Sequence, residues 1–296
     1  MVRHGYKWGR NRLILVILLL IAGDLIAAES GAAVEPDKKP FLSVQKQLIA
    51  DGFDPKKIMR LYGRPQVSFE ADGVIVLFTY KEAHVDYGQF TNKWSILKAR
   101  QYMQDYDADL TRIEKAYGVD KKIITAILLV ETGLGASVGT RLALNTLSTM
   151  AALTDPMVRS KLWDLIPNSK KISRKKFERR AAARSKWAYE ELKALLKYSA
   201  REGVDPVSIP GSFAGAVGVA QFMPTNILAY GKDGNDDGVV DMLNHADAMA
   251  SIANFLKRHG WRPGQSRKKA AKIIYHYNHS NYYVNTILKI SSRLKS

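Results

Sequence analysis

Not one of the 296 residues is a cysteine. That absence removes disulfides, Cys-ligated zinc, iron–sulfur clusters and thiol nucleophiles together. It also removes the thiol that would carry a bacterial lipid anchor. Acidic residues are scarce: 28 Asp and Glu stand against 45 Lys and Arg, leaving a formal charge of +17. Such a surplus favours polyanionic partners, whether nucleic acid, an anionic lipid surface or a carboxylate-bearing wall polymer, and does not choose among them. No internal repeat and no low-complexity tract occurs. A continuous apolar run of more than a few turns is also missing, except at the amino terminus. There Arg3, Lys7, Arg10 and Arg12 precede the apolar stretch Leu13 to Gly23, and the small residues Ala27 and Ala28 follow. This order reads as a secretory leader over residues 1–28. Asp24 interrupts a run already short for a membrane span. Ile26, three places before a cut after Ala28, leaves an uncleaved inner-membrane anchor as the alternative.

What is there is mostly helical in pattern. With 46% of residues apolar, the chain can bury a sizeable core. Residues 29–40, with Gly31, Pro36 and Pro40, read as a linker. Phe41, Val44, Leu48 and Ile49 then fall at helical spacing, Gly52 stops that helix, and Asp54-Pro55 opens another carrying Ile58 and Leu61. Val74, Val76 and Phe78 alternate, which predicts a strand within Val67 to Tyr80. From Trp94 the reading is almost wholly helical. Tyr102 to Tyr117 is amphipathic, Asp120 caps the apolar stretch Ile123 to Val130, and Pro156 to Pro167 marks a second boundary. Lys170 to Lys186 holds nine basic residues and one acid, Glu178. It is either a solvated helix face or a contact surface for an anionic polymer.

Three constellations carry chemistry. Glu131 ends the most hydrophobic helical stretch outside the leader and is followed by Thr132-Gly133-Leu134-Gly135. Apolar surroundings and the negative end of a helix dipole both favour a neutral carboxylic acid there, suited to proton donation. A Glu that merely ends a helix in water is the competing reading. The second block runs from Gly211-Ser212 through Gly215, Gly218, Gln221, Phe222 and Met223 to Pro224. Its small residues permit close backbone approach, to a ligand or to another helix. The third is Asp233-Gly-Asn-Asp-Asp-Gly-Val-Val-Asp, where Asp233, Asn235 and Asp237 take the odd positions of a calcium loop and Gly238 the sharp turn. Asn244 stands where such a loop normally has its closing Glu, so a polar turn without metal is the alternative.

Together these stretches resemble the lytic murein transglycosylases of the membrane-bound B type. The resemblance runs from about Phe41 to the carboxyl terminus. It rests on the Glu-Thr-x-x-Gly element at Glu131, the block from Gly211 to Pro224, the run Asn254 to Trp261 and the pair Tyr277-Asn278. It implies a mainly α (α+β) fold: a lysozyme-like helical core over about residues 94–296, an N-terminal helical region and a small β element. It implies Glu131 as the single catalytic acid and base, acting between N-acetylmuramic acid and N-acetylglucosamine in peptidoglycan. Ser212, Gln221, Phe222, Tyr277 and Asn278 fall on positions that line the family's groove, with Tyr282 or Tyr283 a further candidate. Asp247 matches the acid that completes the family's longer calcium loop over 233–247, alongside Asp233, Asn235, Asp237 and the Val239 carbonyl. The resemblance further implies a periplasmic monomer acting on glycan strands, in the company of cell-wall synthesis or secretion machinery. The leader speaks against a nucleic-acid partner. A wall-binding scaffold without activity and a hydrolysing muramidase are the competing functional readings.

Overall fold

The computed structural model describes residues 39–79 and 86–294. The leader and the linker up to residue 38 lie outside the described residues. Helix α1 (Leu42–Ala50) buries Val44 and Leu48. Helix α2 (Pro55–Tyr62) begins where the Asp54 carboxylate accepts the Lys57 N–H, with Pro55 holding the first turn. The strand expected within Val67 to Tyr80 is instead helix α3 (Ala71–Thr79), and Tyr80 itself lies outside the described residues. The Glu70 carboxylate accepts the Gly73 N–H and starts that helix. Val74, Leu77 and Phe78 turn inward at helical spacing while Val76 is exposed. The boundary expected at Pro156 to Pro167 is likewise a helix, because Asp155 caps it and Pro156 occupies its first position.

The amphipathic stretch from Tyr102 spans two helices, α4 (Lys93–Asp105) and α5 (Asp107–Tyr117), joined at Tyr106. They flank α6 (Lys121–Thr132), in which every residue from Ile123 to Thr132 is buried. A helix that is apolar on all sides belongs in the centre of a domain, and α6 is surrounded there. Strand β1 (Arg141–Leu142) leads into α7 (Ala143–Ala151), which is also buried throughout. After α8 (Pro156–Leu165) comes the long α9 (Arg174–Glu202), packed along α7. Strand β2 (Pro210–Gly211) pairs antiparallel with β1, placing Arg141 opposite Gly211. Four more helices follow: α10 (Pro224–Tyr230), α11 (His245–Arg258), α12 (Arg267–Tyr277) and α13 (Asn281–Arg293). Helices α4, α5, α11 and α13 enclose α6. The protein is thus mainly α with one small strand pair. Among the described residues no helix is long and apolar enough to cross a membrane.

Candidate active site

Helix α6 delivers Glu131 into the interior. The residue is 2% exposed, and its Oε1 accepts a hydrogen bond from the Tyr283 hydroxyl at 2.6 Å. Its Oε2 is buried without a hydrogen-bond partner. Burial pushes the Glu131 carboxyl well above the ordinary carboxylate range, and the Tyr283 hydroxyl draws it only partly back. An acid held neutral in this way can give a proton away. Tyr283 is placed by the start of α13, where the Ser280 hydroxyl accepts its N–H at 3.2 Å.

The turn after Glu131 explains its small residues. Gly133 closes α6 at φ +60°, donating to the Leu129 carbonyl, and Leu134 follows at φ +67°, donating to Leu128. Gly135 continues at φ +88°. Three left-handed residues in succession reverse the chain, a path that suits glycine and taxes leucine. The Thr132 hydroxyl then fastens this turn to the second block by donating to the Val219 carbonyl at 2.9 Å.

That second block is built from backbone rather than from projecting side chains. The Ser212 hydroxyl accepts the N–H groups of Ala214 and Ala216, so it folds the loop on itself. Gln221 sits at φ +48°, and its amide donates to the Val138 and Gly218 carbonyls at 3.2 and 2.9 Å. Phe222 points into an aromatic core, with ring centroids 5.9 Å from Phe255 and 5.7 Å from Tyr277. Tyr277 donates to the Ala220 carbonyl at 2.6 Å, and its ring lies parallel to that of Tyr283 at 6.3 Å. Asn278 is buried in the corner between α12 and α13, where its carbonyl accepts the Ser280 N–H. The two adjacent tyrosines part company. Tyr282 is 66% exposed and stacks on Tyr87, while Tyr283 is the one that touches Glu131. Leu134, Gln221 and Asp236 are the non-glycine residues with positive φ among those described, one in each sequence constellation.

The third constellation is a tight loop. The Asp233 carboxylate accepts the N–H groups of Asp236 and Gly238, which hold it below the usual carboxylate range. Asp237 accepts from Val239 N–H and from the Asn235 amide. Asp247 is fully buried at the start of α11 and accepts from Gly234 and Asp241, at 2.8 and 2.7 Å. Burial raises its carboxyl, and the charges of Asp233 and Asp237 raise it further. The donor set is therefore all oxygen and strongly anionic, which fits calcium. Among the described residues, no three His, Asp or Glu side chains already stand in metal-binding array.

Two polar residues escaped the sequence reading, buried Glu191 and half-buried His245. Glu191 on α9 accepts from the Thr225 N–H and hydroxyl, tying down the start of α10 directly after Gln221 to Pro224. Burial moves its carboxyl up to about 6. His245 bonds the Tyr102 hydroxyl through Nδ1 at 2.7 Å, and its ring abuts Gly135, where an added Cβ would lie 2.6 Å away. A cleft of about 660 Å³ between α2 and the end of α9 is lined by none of the residues of the three constellations.

Comparison with known proteins adds three findings. The family model described as "Transglycosylase SLT domain" matches residues 37–273. The membrane-bound lytic murein transglycosylase B of Escherichia coli (strain K12) is 31% identical over 163 residues, covering 55% of this chain and 38% of that protein. The chain thus spans well under half the length of that relative. Among solved structures, the soluble lytic transglycosylase SltB1 of Pseudomonas aeruginosa aligns with a TM-score of 0.69 at 21% identity, over 88% of this chain and 98% of that one. The E. coli lytic transglycosylase Slt35 in complex with calcium aligns with a TM-score of 0.66 at 20% identity, over 88% and 93%. SltB3 of P. aeruginosa in complex with NAG-NAM-pentapeptide gives 0.70 at 19% identity, over 88% and 80%. The overall fold is the lysozyme-like helical fold of these structures.

Proposed function

The chain belongs to the transglycosylase SLT domain family, and from that premise we propose that it is a lytic transglycosylase acting on peptidoglycan glycan strands. It cleaves the β-1,4 bond between N-acetylmuramic acid and N-acetylglucosamine. The observation that carries this reading is Glu131: buried, its carboxyl pushed well above the ordinary range, one oxygen held by Tyr283 and the other without a partner. Protonated Glu131 gives its proton to the glycosidic oxygen as the bond from the muramyl C1 breaks. The resulting carboxylate takes the proton of the muramyl 6-hydroxyl while that oxygen bonds to C1, closing a 1,6-anhydro ring. One carboxyl thus serves as acid and then as base, and the substrate's own acetamido group steadies the cationic centre where most glycosidases use a second carboxylate. Tyr283 and Tyr277 keep the acid in place, and Gln221, Phe222, Ser212 and Asn278 form the wall of the groove. Tyr282, exposed beside Tyr87, is a contact for a more distant sugar.

Calcium is held in this reading by Asp233, Asn235, Asp237, the Val239 carbonyl and Asp247. Its task is to stiffen the loop over residues 233–247, and it takes no part in bond breaking. The leader supports export to the periplasm.

The test is mass spectrometry of purified peptidoglycan digested with the protein, with Glu131→Gln alongside. Anhydro-muropeptides are expected from the wild type, and a loss of roughly 10³-fold or more in the variant. Reducing-end muropeptides would make the protein a muramidase. No product from either protein would leave a wall-binding scaffold.

A further inference from the structure

The C-terminal half of α9 carries Glu191, Tyr198 and Glu202 along one face, at i, i+7 and i+11. All three reach the chain that follows the small-residue block. Tyr198 donates to the Val240 carbonyl and the Glu202 carboxylate accepts the Val240 N–H, both at 2.9 Å. Glu191 commits both of its oxygens to Thr225: Oε2 accepts the N–H at 2.9 Å and Oε1 the hydroxyl at 2.8 Å. It is the costly member of the row. Glu191 is 4% exposed, and the one charge that bears on it is the like charge of Glu190. Apolar side chains would pack α10 on α9 at lower cost. They would, however, leave open the angle at which the chain enters α10. Two directed bonds to a single residue fix that angle.

What the angle controls lies immediately upstream. Gln221 stands at φ +48°, a left-handed conformation that a non-glycine residue keeps only where its surroundings hold it. On the entry side, Val217 and Phe222 exchange N–H···O bonds at 2.9 and 3.1 Å, and the Gln221 N–H reaches the Gly218 carbonyl at 3.1 Å. On the exit side, Pro224 has no N–H to give. Thr225 is thus the first residue beyond Phe222 whose N–H and side chain are both fastened to another element. Resting on the reading that Gln221 and Phe222 form the wall of a glycan groove, we propose that Glu191 is a positioning residue. Acting through Thr225, it holds Gln221 in the geometry that meets the sugar, without touching the sugar itself.

The test compares the full chain with Glu191→Ala, Glu191→Gln and Thr225→Val. KM and kcat are measured on purified glycan strands across pH, together with hydrogen exchange over residues 217–226. Glu191→Ala should raise KM about tenfold with kcat within about twofold of wild type. The alkaline limb of its pH–rate profile should stay in place, because Glu131 and Tyr283 are untouched. Glu191→Gln should restore the wild-type KM, since its amide oxygen still accepts the Thr225 N–H and its NH2 donates to the Thr225 hydroxyl oxygen. Thr225→Val keeps the backbone bond and should fall between the two; it decides the matter if the alanine variant does not fold. Exchange over 217–226 should quicken in the alanine variant and not in the glutamine one. Unchanged KM and exchange in Glu191→Ala would overturn the proposal, as would a lowered Tm with unchanged KM, and Glu191 would then be a packing residue of α9. A shifted alkaline limb would overturn it in favour of an effect on Glu131. If the wild type cleaves no glycan, the proposed activity fails, and the exchange result alone stands for or against Glu191.

Discussion

Glu131 presents its two oxygens to different surroundings, and the difference makes its ionisation testable. Its carboxyl is raised in the folded chain, first by burial, so the ionised form is penalised relative to the unfolded chain. The stability it allows is complete below the unfolded value of 4.5 and is lost as pH rises through the folded value. Glu131→Gln should therefore melt with the wild type at about pH 4 and above it at about pH 8. Thermal melts across that range check this, and coincident curves at both ends would show the carboxyl to be solvated. Tyr283→Phe removes the one hydrogen bond that favours the carboxylate. The alkaline limb of the pH–rate profile should then move to higher pH, because Glu131 stays protonated longer. Loss of a buried hydrogen bond should also cost roughly 1–3 kcal/mol of stability, measured by denaturant unfolding. An unmoved limb with lowered turnover would leave Tyr283 a packing residue. Glu131 was legible in the sequence because an acid ends an unbroken apolar run. The choice between Tyr282 and Tyr283 depends on the phase of α13, which Ser280 sets. The buried stripe Tyr283, Ile287 and Ile290 carries that phase at i, i+4 and i+7. Glu191 was equally readable as an acid on the apolar stripe Ala188, Leu192 and Leu195.

Local signals predicted the elements well where caps and periodicity agreed, as at Asp54-Pro55 and at Asp120 before α6. They failed over Ala71–Thr79, where Val74, Val76 and Phe78 imitate a strand. Burial against α7 and α8 selected the helix, since Val74, Leu77 and Phe78 share a helical face and Val76 does not. β-branched residues disfavour helix only weakly, so packing overrides them. The Gly-rich block shows the opposite limit. Its glycines were visible, but which of them the backbone requires was not. Gly218 has φ +74°, and a Cβ there would stand 2.1 Å from the Met242 carbonyl oxygen. Gly264 has a similar φ of +68° with nothing within 4 Å. Gly218→Ala should therefore cost at least about 3 kcal/mol, from strain and overpacking together. Gly264→Ala should cost only about 1–2 kcal/mol, the left-handed conformation alone. Chemical denaturation of both variants separates the two terms. Similar losses would mean that the backbone at Met242 gives way.

Across the whole molecule the three constellations form one connected piece. Thr132 donates to the Val219 carbonyl, and Val219 donates to Met242 inside the 233–247 loop. On the other side, the Arg112 side chain on α5 donates to the Gly234 carbonyl, and His245 fills the space beside Gly135. The loop is therefore clamped to the turn that carries Glu131, although the two lie a hundred residues apart in sequence. No local pattern displays that adjacency, because it arises only once α11 and α5 close around α6. It has a consequence for metal binding. A cation bound by Asp233, Asp237 and Asp247 in the folded chain and not in the unfolded one stabilises by mass action, by about 2.7 kcal/mol at a hundred times its Kd. For a chain of this size that corresponds to a rise in Tm of about 4–5 °C. Asp247→Asn should abolish the increment and also lower the metal-free Tm, since Asp247 accepts Gly234 N–H on Oδ1 and Asp241 N–H on Oδ2 and an amide keeps only one of these acceptors. Magnesium at the same concentration should give little, because it demands near-ideal octahedral geometry and gives up its waters reluctantly, which suits an all-protein loop poorly. Identical melting in calcium and in chelator would mean that Asp233, Asp237 and Asp247 hold the loop through their backbone N–H bonds alone. The clamp on the Glu131 turn would then be a feature of the fold and not of the ion.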